Sequence, residues 1–222
     1  MHIGLIGGIG PAATDFYYRR LISTFASRKA ALELTIVHAD TPTLLKNLSA
    51  NDVEAQVAIY TRLTNRLVAA GAACVVVTSI AGHFCIEAFK ALSPLPVVDM
   101  IPRSVRLSKN VASSGSEFSE LARSWKRFYG GVRSADIIPP SGSDLDDVHQ
   151  AYVAMAASGV VTEAQRSIFN HVSRKLLDED GAEAIMLGGT DLALVFSQDA
   201  APFPLVDCAA IHVDAIARLA IA

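Results

Sequence analysis

The sequence predicts an α/β protein made of two pseudo-symmetric domains with mainly parallel sheets. The first observation is a repeated stretch: a helix stop, a buried apolar strand and a turn of small residues begin at Gly71 and again at Gly181, 110 residues later in a chain of 222. The second is that short apolar runs alternate with helical patterns throughout, which favours right-handed crossovers between parallel strands. The third is that both repeated strands end in small or polar residues at the carboxyl edge, where open α/β sheets bind ligands. We therefore expect a shared active-site cleft between the two domains.

Composition limits the possible partners. With 51% hydrophobic and 18% charged residues the chain can bury a sizeable core, and we expect one domain from 1–102 plus 207–222 and a second from 103–206. A net charge of −3 without a long basic run argues against nucleic acid. No apolar run reaches the roughly 20 residues of a membrane span, and the chain enters its first glycine turn too early for a signal peptide. Three cysteines are typical of reduced thiols, so we expect a cytoplasmic protein.

The first element is a strand at Ile3–Ile6, followed by a glycine turn and a helix that Thr14 or Asp15 can cap. A strand, a glycine turn and a helix amino end together form an anion site. Gly7, Gly8 and Thr14 are therefore candidates for binding a carboxylate. A nucleotide site and a plain structural turn remain alternatives, although the glycine spacing departs from the dinucleotide fingerprint.

The rest of the first half alternates between strands and helices. We expect a second strand at Leu34–His38, a loop through Asp40 to Lys46, an amphipathic helix over about 51–70 that Gly71 ends, a third strand, and a fourth strand at Leu95–Asp99. A loop from Thr78 to Phe84 follows the third strand.

The second half has a weaker pattern, especially from 103 to 127. We expect a strand and turn over 111–116, a strand over 136–139, helices over 146–157 and 162–178, the repeated strand, a last strand over 203–207 and a final helix over 209–220. Thr162 and Gln165 have the spacing of a capping box.

Several stretches together resemble the aspartate/glutamate racemase superfamily, whose members work without pyridoxal phosphate. They are Gly4-Leu5-Ile6-Gly7-Gly8-Ile9-Gly10-Pro11-Ala12-Ala13-Thr14, His83-Phe84, Leu187-Gly188-Gly189-Thr190-Asp191 and Pro204-Leu205-Val206-Asp207 with Ile211-His212. Gly115-Ser116-Glu117-Phe118-Ser119 is similar to the second-domain turn of that superfamily. The resemblance implies two pseudo-symmetric α/β halves, no cofactor, a small amino-acid or carboxylate substrate, and a homodimer.

The resemblance also shows where this chain departs from the superfamily. Its members use two thiols, one from each half, to remove and return a proton on opposite faces of the α-carbon. Those thiols align with Ser79 (or Thr78) and with Gly189, and neither position is cysteine. Two cations that hold the distal carboxylate in aspartate-specific relatives fall near Leu44 and Ala157, and Lys46 is the nearest possible substitute.

His83 is the best remaining base, because histidine is the side chain most easily tuned for proton transfer near neutral pH. The alternative is a histidine that binds loop backbone. We expect Ser79, Gly189 and Thr190 to complete the catalytic pocket and a further set to bind substrate: Gly7, Gly8, Thr14, Thr78, Ser116, Ser119 and Asp191. For Asp191 the alternative is helix capping. Cys74, Cys85 and Cys208 are more typical of core residues, and we expect no metal site.

Three functions fit these residues. The first is a cofactor-independent racemase-type isomerase acting at the carbon α to a carboxylate of a small acid. The second is one-sided chemistry on the same fold, by a lyase, a decarboxylase or a cis–trans isomerase, which the missing side chain at Gly189 favours. The third is a non-catalytic protein that binds a small carboxylate.

Overall fold

The computed structural model describes residues 1–8, 11–100, 110–113, 136–196 and 201–221. In chain order its elements are β1 (Ile3–Gly7), α1 (Pro11–Ser27), β2 (Leu34–His38), α2 (Thr41–Ser49), α3 (Val53–Ala69), β3 (Cys74–Val77), α4 (Ile86–Leu92), β4 (Asn110–Ser113), β5 (Asp136–Ile138), α5 (Ser143–Ser158), α6 (Glu163–Asp178), β6 (Ala184–Leu187), β7 (Leu205–Asp207) and α7 (Cys208–Ile221). Short 3₁₀ turns at Ala81–Cys85 and Thr190–Leu194 follow β3 and β6. All described strand pairs are parallel, and the α/β class is confirmed.

The chain divides into two compact units, Met1–Met100 with Ala209–Ala222, and Ile101–Cys208. The sheet of the first unit has the strand order β2-β1-β3. Its core contains one face of α3, including Val57, Tyr60, Leu63 and Leu67, as the helical spacing predicts.

The turn after α3 takes the form that its glycine requires. Gly71 has φ +85°, a region open to glycine at little cost. The Ala72 amide then bonds the Leu67 carbonyl at 2.9 Å, which closes the helix end before β3. The predicted helix stop is confirmed.

Three predictions for the first unit are wrong. The loop through Asp40 contains helix α2, because the Asp40 carboxylate accepts the Thr43 amide and caps the helix. Helix α1 begins at Pro11, so Thr14 and Asp15 lie inside it and do not cap it. The expected strand at Leu95–Asp99 is a single bridge to β3 through Val97.

The sheet of the second unit has the strand order β5-β4-β6-β7. Its described core joins α5 and α6 to β6 through residues such as Met155, Phe169 and Ile185. Thr162 and Gln165 form the predicted capping box at the start of α6, with both reciprocal bonds present.

The internal repeat predicted from sequence is present in the structure. Strand β6 occupies the same positions as β3 shifted by 110 residues, and each is followed by a 3₁₀ turn. The central strands β1 and β4 each pair with the repeated strand on one side and with β2 or β5 on the other. The two sheets are therefore wound in the same order.

Among the described residues, no helix combines the length and the apolarity that a membrane span requires.

Candidate functional site

The glycine turn after β1 is closed by two threonine hydroxyls. The Gly8 amide donates to Thr14 Oγ1 at 3.0 Å, and the Thr41 hydroxyl donates to the Gly8 carbonyl. Gly8 has φ +99°, and a Cβ there would lie 2.3 Å from the Ala39 carbonyl oxygen. A Cβ on Gly7 would meet Thr14 at 2.6 Å. The backbone groups of Gly8 are therefore engaged by these side chains, as in the plain structural turn considered from sequence.

The loop after β3 is a buried 3₁₀ turn, Ala81–Cys85. The Tyr60 hydroxyl of α3 donates to the Gly82 carbonyl at 3.1 Å, which fixes the turn against the helix. Thr78 is fully buried and its hydroxyl donates to the Ile6 carbonyl of β1 at 3.2 Å. These contacts fix the end of β3 and the position of the turn that contains His83.

His83 is held by backbone groups at both ring nitrogens. Nδ1 lies 2.6 Å from the Ser79 carbonyl oxygen, which can only accept, so Nδ1 carries the proton. Nε2 then accepts the Met100 amide at 3.4 Å and lies 3.8 Å from the Asp99 carboxylate. The side chain is 1% exposed, and burial lowers the pKa of His83, although Asp99 opposes this. The ring is therefore neutral near pH 7.

Asp99 is a buried carboxylate that the sequence analysis did not select. It forms an ion pair with Lys90, whose ammonium also lies 2.8 Å from Glu87. Burial alone would lower the pKa of Lys90, but hydrogen bonds to Asp99 and Glu87 raise it above its usual range. A cation thus compensates the buried charge beside His83.

A second buried histidine lies beside the first. The His212 ring is edge-on to His83, with centroids 6.3 Å apart. Its Nε2 donates to the Val98 carbonyl at 2.8 Å, and its Nδ1 lies 2.8 Å from the Tyr17 hydroxyl. His212 therefore links α7 to α1 and to the segment before Asp99.

In the second unit, Gly189 and Thr190 follow β6, and Tyr152 of α5 lies against them. A Cβ on Gly189 would be 2.3 Å from Tyr152 Cε2 and 2.5 Å from its hydroxyl oxygen. The Tyr152 hydroxyl donates to Asp191 Oδ2 at 3.2 Å. Thr190 and Asp191 are buried, whereas Tyr152 is half-buried. Asp191 thus accepts a bond from a tyrosine that sequence reasoning missed.

The cysteines are core residues, as the sequence predicts. All three are buried free thiols: Cys74, Cys85 and Cys208. Burial raises the pKa of the Cys85 thiol to about 12 and also raises the pKa of Cys74. These two side chains are therefore not thiolates at neutral pH.

The remaining candidates are not brought together by the described structure. Ser116 and Ser119 lie outside the described residues. Leu44, where the resemblance expects a cation, is in the core, while Lys46 is exposed on the same helix. Within the described ranges, no group of three or more His, Cys, Asp or Glu residues is placed to hold a metal ion.

The fold and the candidate residues define an α/β protein with two parallel-sheet units, in each of which the repeated strand, β3 or β6, is followed by a buried turn. The family model for Asp/Glu/Hydantoin racemase matches residues 6–216. The chain belongs to that family, and the predicted membership is confirmed.

Solved structures share the fold at low identity. A protein from Yersinia pestis, proposed to be an Asp/Glu racemase, is 22% identical with a TM-score of 0.82, covering 100% of both chains. An aspartate racemase homologue from Pyrococcus horikoshii is 20% identical, with a TM-score of 0.80 and 100% and 99% coverage. Glutamate racemase from Francisella tularensis, in complex with D-glutamate, is 14% identical with a TM-score of 0.64, over 99% of this chain and 80% of that one.

Proposed function

We propose that this protein is a cofactor-independent, racemase-type isomerase that acts at the carbon α to a carboxylate of a small amino acid. Family membership over residues 6–216 supports the class of reaction. The observation that carries the proposal is the neutral imidazole of His83 after β3, whose Nδ1 donates to the Ser79 carbonyl and whose Nε2 lone pair accepts the Met100 amide in a long bond of 3.4 Å that the reaction must release. A base must be unprotonated at working pH to accept a proton, and burial keeps His83 in that form.

Asp99 supports the same role for His83. When Nε2 takes a proton, the imidazolium gains a carboxylate 3.8 Å away. Opposite charges this close favour the charged ring, so Asp99 lowers the cost of protonating a buried base. The Ser79 carbonyl meanwhile keeps the other ring nitrogen protonated and the ring oriented.

For the remaining sequence candidates we distinguish proposed catalytic and binding roles from structural contacts. We propose a catalytic role for Ser79, which follows β3, and for Gly189 and Thr190, which follow β6. For substrate binding we propose Thr14, Ser116, Ser119 and Asp191. The other residues expected from sequence have structural contacts: the backbone groups of Gly8 and the hydroxyl of Thr78 are bonded within the protein, and Gly7 ends β1.

We propose substrates with short or neutral side chains over aspartate. The superfamily resemblance expects a cation near Leu44, and this residue is a core leucine with 1% exposure. A second carboxylate at that position would lose its hydration without gaining a charged partner.

The test is exchange of the α-proton in deuterated water, followed by NMR, with each enantiomer of alanine, serine, aspartate and glutamate. We expect exchange with at least one short amino acid and appearance of the opposite enantiomer. An absence of exchange with every amino acid tested would contradict the proposal.

One-sided chemistry is the second candidate, because residue 189 supplies no side chain for a second base. It predicts a product of one configuration, or loss of carbon dioxide, where racemisation predicts both enantiomers. Chiral chromatography of the products separates the two.

We further propose that the protein works in the cytoplasm as a homodimer. Three free thiols support a reducing compartment, and the superfamily resemblance supports the dimer. Light scattering on the purified protein measures the assembly, and a monomer at working concentration would contradict it.

A further inference from the structure

A single carboxylate connects the buried ring of His83 to a lysine near the protein surface. Asp99 Oδ2 accepts a hydrogen bond from the Lys90 ammonium, while Asp99 Oδ1 lies 3.8 Å from His83 Nε2. The side chains of His83 and Asp99 are 1% and 8% exposed, whereas that of Lys90 is 31% exposed. All three residues belong to the first unit. Contacts therefore run from a solvent-accessible cation to the ring nitrogen that bears the lone pair.

Lys90 is held by a second carboxylate on its own helix. Glu87 precedes it by three residues on α4, a spacing that brings side chains together, and the Lys90 ammonium lies 2.8 Å from Glu87 Oε1. The Glu87 side chain is 83% exposed, so water screens this pair. The pair with Asp99 is the buried one, and a buried carboxylate that loses its cation is strongly destabilising. Lys90 therefore fixes the Asp99 carboxylate beside the ring.

The titratable groups that the structure describes around this turn come from every element packed against it. They are Cys85 in the turn, Tyr60 on α3, Glu87 and Lys90 on α4, Asp99, and His212 on α7 with its partner Tyr17. Burial raises the pKa of Cys85 to about 12 and that of Tyr60 well above its usual range, so both are uncharged at neutral pH. The His212 ring is satisfied in its neutral form, because Nε2 donates to a backbone carbonyl and Nδ1 can accept from a tyrosine hydroxyl.

Two formal charges therefore act on the His83 ring, and they act in opposite directions. Burial is the largest influence and lowers the pKa of His83; Asp99 raises this pKa and Lys90 lowers it. Asp99 without its cation would favour the imidazolium already in the resting protein. The Lys90 ammonium reduces that effect and leaves the carboxylate in place.

We propose that Lys90 is a positioning residue for the base His83, which fixes the Asp99 carboxylate beside Nε2 and balances its charge. The ring then stays neutral at rest, and a carboxylate is in place to stabilise it once it takes a proton. This inference rests on the proposed function and extends it to a residue that does not contact the ring directly.

The test follows the protonation of the His83 ring by heteronuclear NMR as a function of pH. The His83 signals are assigned by their loss in His83→Gln, and α-proton exchange in deuterated water is measured on the same proteins over the same pH range. Lys90→Met removes the ammonium and keeps the unbranched chain, whereas Lys90→Arg keeps the charge. The control is Lys175→Met, which breaks a comparable ion pair of the second unit, between Lys175 and Asp144 at 2.6 Å.

We expect Lys90→Met to move the His83 titration to higher pH, because Asp99 then acts on the ring without an opposing cation. On the acidic limb of the pH profile the exchange rate of this variant should fall by about tenfold, the change that one neighbouring charge typically makes. The rate should recover towards that of wild type at higher pH. Asp99→Asn should move the titration in the other direction, to lower pH, because the ring loses its carboxylate. Lys90→Arg and Lys175→Met should titrate as wild type does.

The inference and the proposed function fail in different measurements. A His83 titration that is the same in Lys90→Met and in wild type, or that moves as far in Lys175→Met, overturns the inference and leaves the proposed function in place. A loss of exchange in Lys90→Met that is equal at every pH also overturns the inference, since a merely structural role gives that result. If Lys90→Met does not fold, Lys90→Gln, whose amide can still donate to Asp99, takes its place with the same expected direction. A wild type that exchanges no α-proton at any pH overturns the proposed function, and the catalytic purpose of Lys90 with it.

Discussion

The contact between Gly189 and Tyr152 makes a quantitative prediction for Gly189→Ala. The backbone at residue 189 has φ −100° and ψ 127°, which alanine adopts without strain. The new methyl would lie 2.3 Å from Tyr152 Cε2, whereas carbon atoms pack at about 3.5–4.0 Å. The ring must move by about 1 Å or more and lose its bond to Asp191.

The expected cost follows from these terms. Overpacking costs about 1–3 kcal/mol and a lost hydrogen bond about 1 kcal/mol. Replacing glycine by alanine stabilises the folded protein by about 0.4–1 kcal/mol, because alanine reduces the conformational entropy of the unfolded chain. We expect Gly189→Ala to lower the free energy of unfolding by about 1–3 kcal/mol, measured by urea denaturation.

The control is the same substitution in a Tyr152→Ala background. The three atoms nearest to the new methyl all belong to Tyr152. Without the ring we expect the unfolded-chain effect to dominate, so alanine at 189 should raise the free energy of unfolding by about 0.4–1 kcal/mol. The sign of the effect therefore reverses between the two backgrounds, a coupling that a double-mutant cycle isolates. An equal cost in both backgrounds would refute the reasoning.

Two further predictions concern His83 and the thiols. Burial lowers the pKa of His83, so between that lowered value and about 6.5 the unfolded chain binds the extra proton and stability rises with pH. We expect His83→Gln to reduce the rise in unfolding free energy between about pH 5.5 and about pH 7.5. The control is His171→Gln, which changes an exposed histidine and should leave the contribution of His83 in place. A rise as large in His83→Gln as in wild type would contradict the burial argument. An alkylating reagent near pH 8 should label no cysteine in the folded protein and three cysteines after denaturation. Burial raises the pKa of Cys85 to about 12, so rapid labelling of Cys85 in the folded protein would contradict its buried state.

The repeat is predictable from the sequence because the signals that define it are local. The glycines at 71 and 181 stop helices through their positive φ values, and an apolar strand follows each. These signals were sufficient for the positions of β3 and β6. The Thr162 capping box was likewise predictable, because all its bonds lie within four residues.

Helix α2 was missed although its start signal is present. Asp40 followed by Pro42 and Thr43 provides an N-cap, a first-turn proline and the capped amide. The sequence pattern also favours a loop in this segment, because Asp40 and Pro42 are common turn residues.

Asp99 and Tyr152 illustrate two different limits of predicting site residues from sequence. A sequence signal points to Asp99, since Pro96-Val97-Val98-Asp99 is repeated as Pro204-Leu205-Val206-Asp207, 108 residues later. Tyr152 had none, because it meets Asp191 only through the packing of α5 against the turn after β6. Contacts between distant elements depend on tertiary packing, which no local pattern encodes.

The most direct test of the account is the α-proton exchange rate of His83→Gln beside wild type and His171→Gln. The neutral imidazole of His83 is proposed as the base, so its loss should lower the exchange rate by at least about 10²-fold while His171→Gln stays at the wild-type rate. Folding of each variant is checked by far-ultraviolet circular dichroism. Wild-type exchange in a folded His83→Gln protein would contradict the central claim.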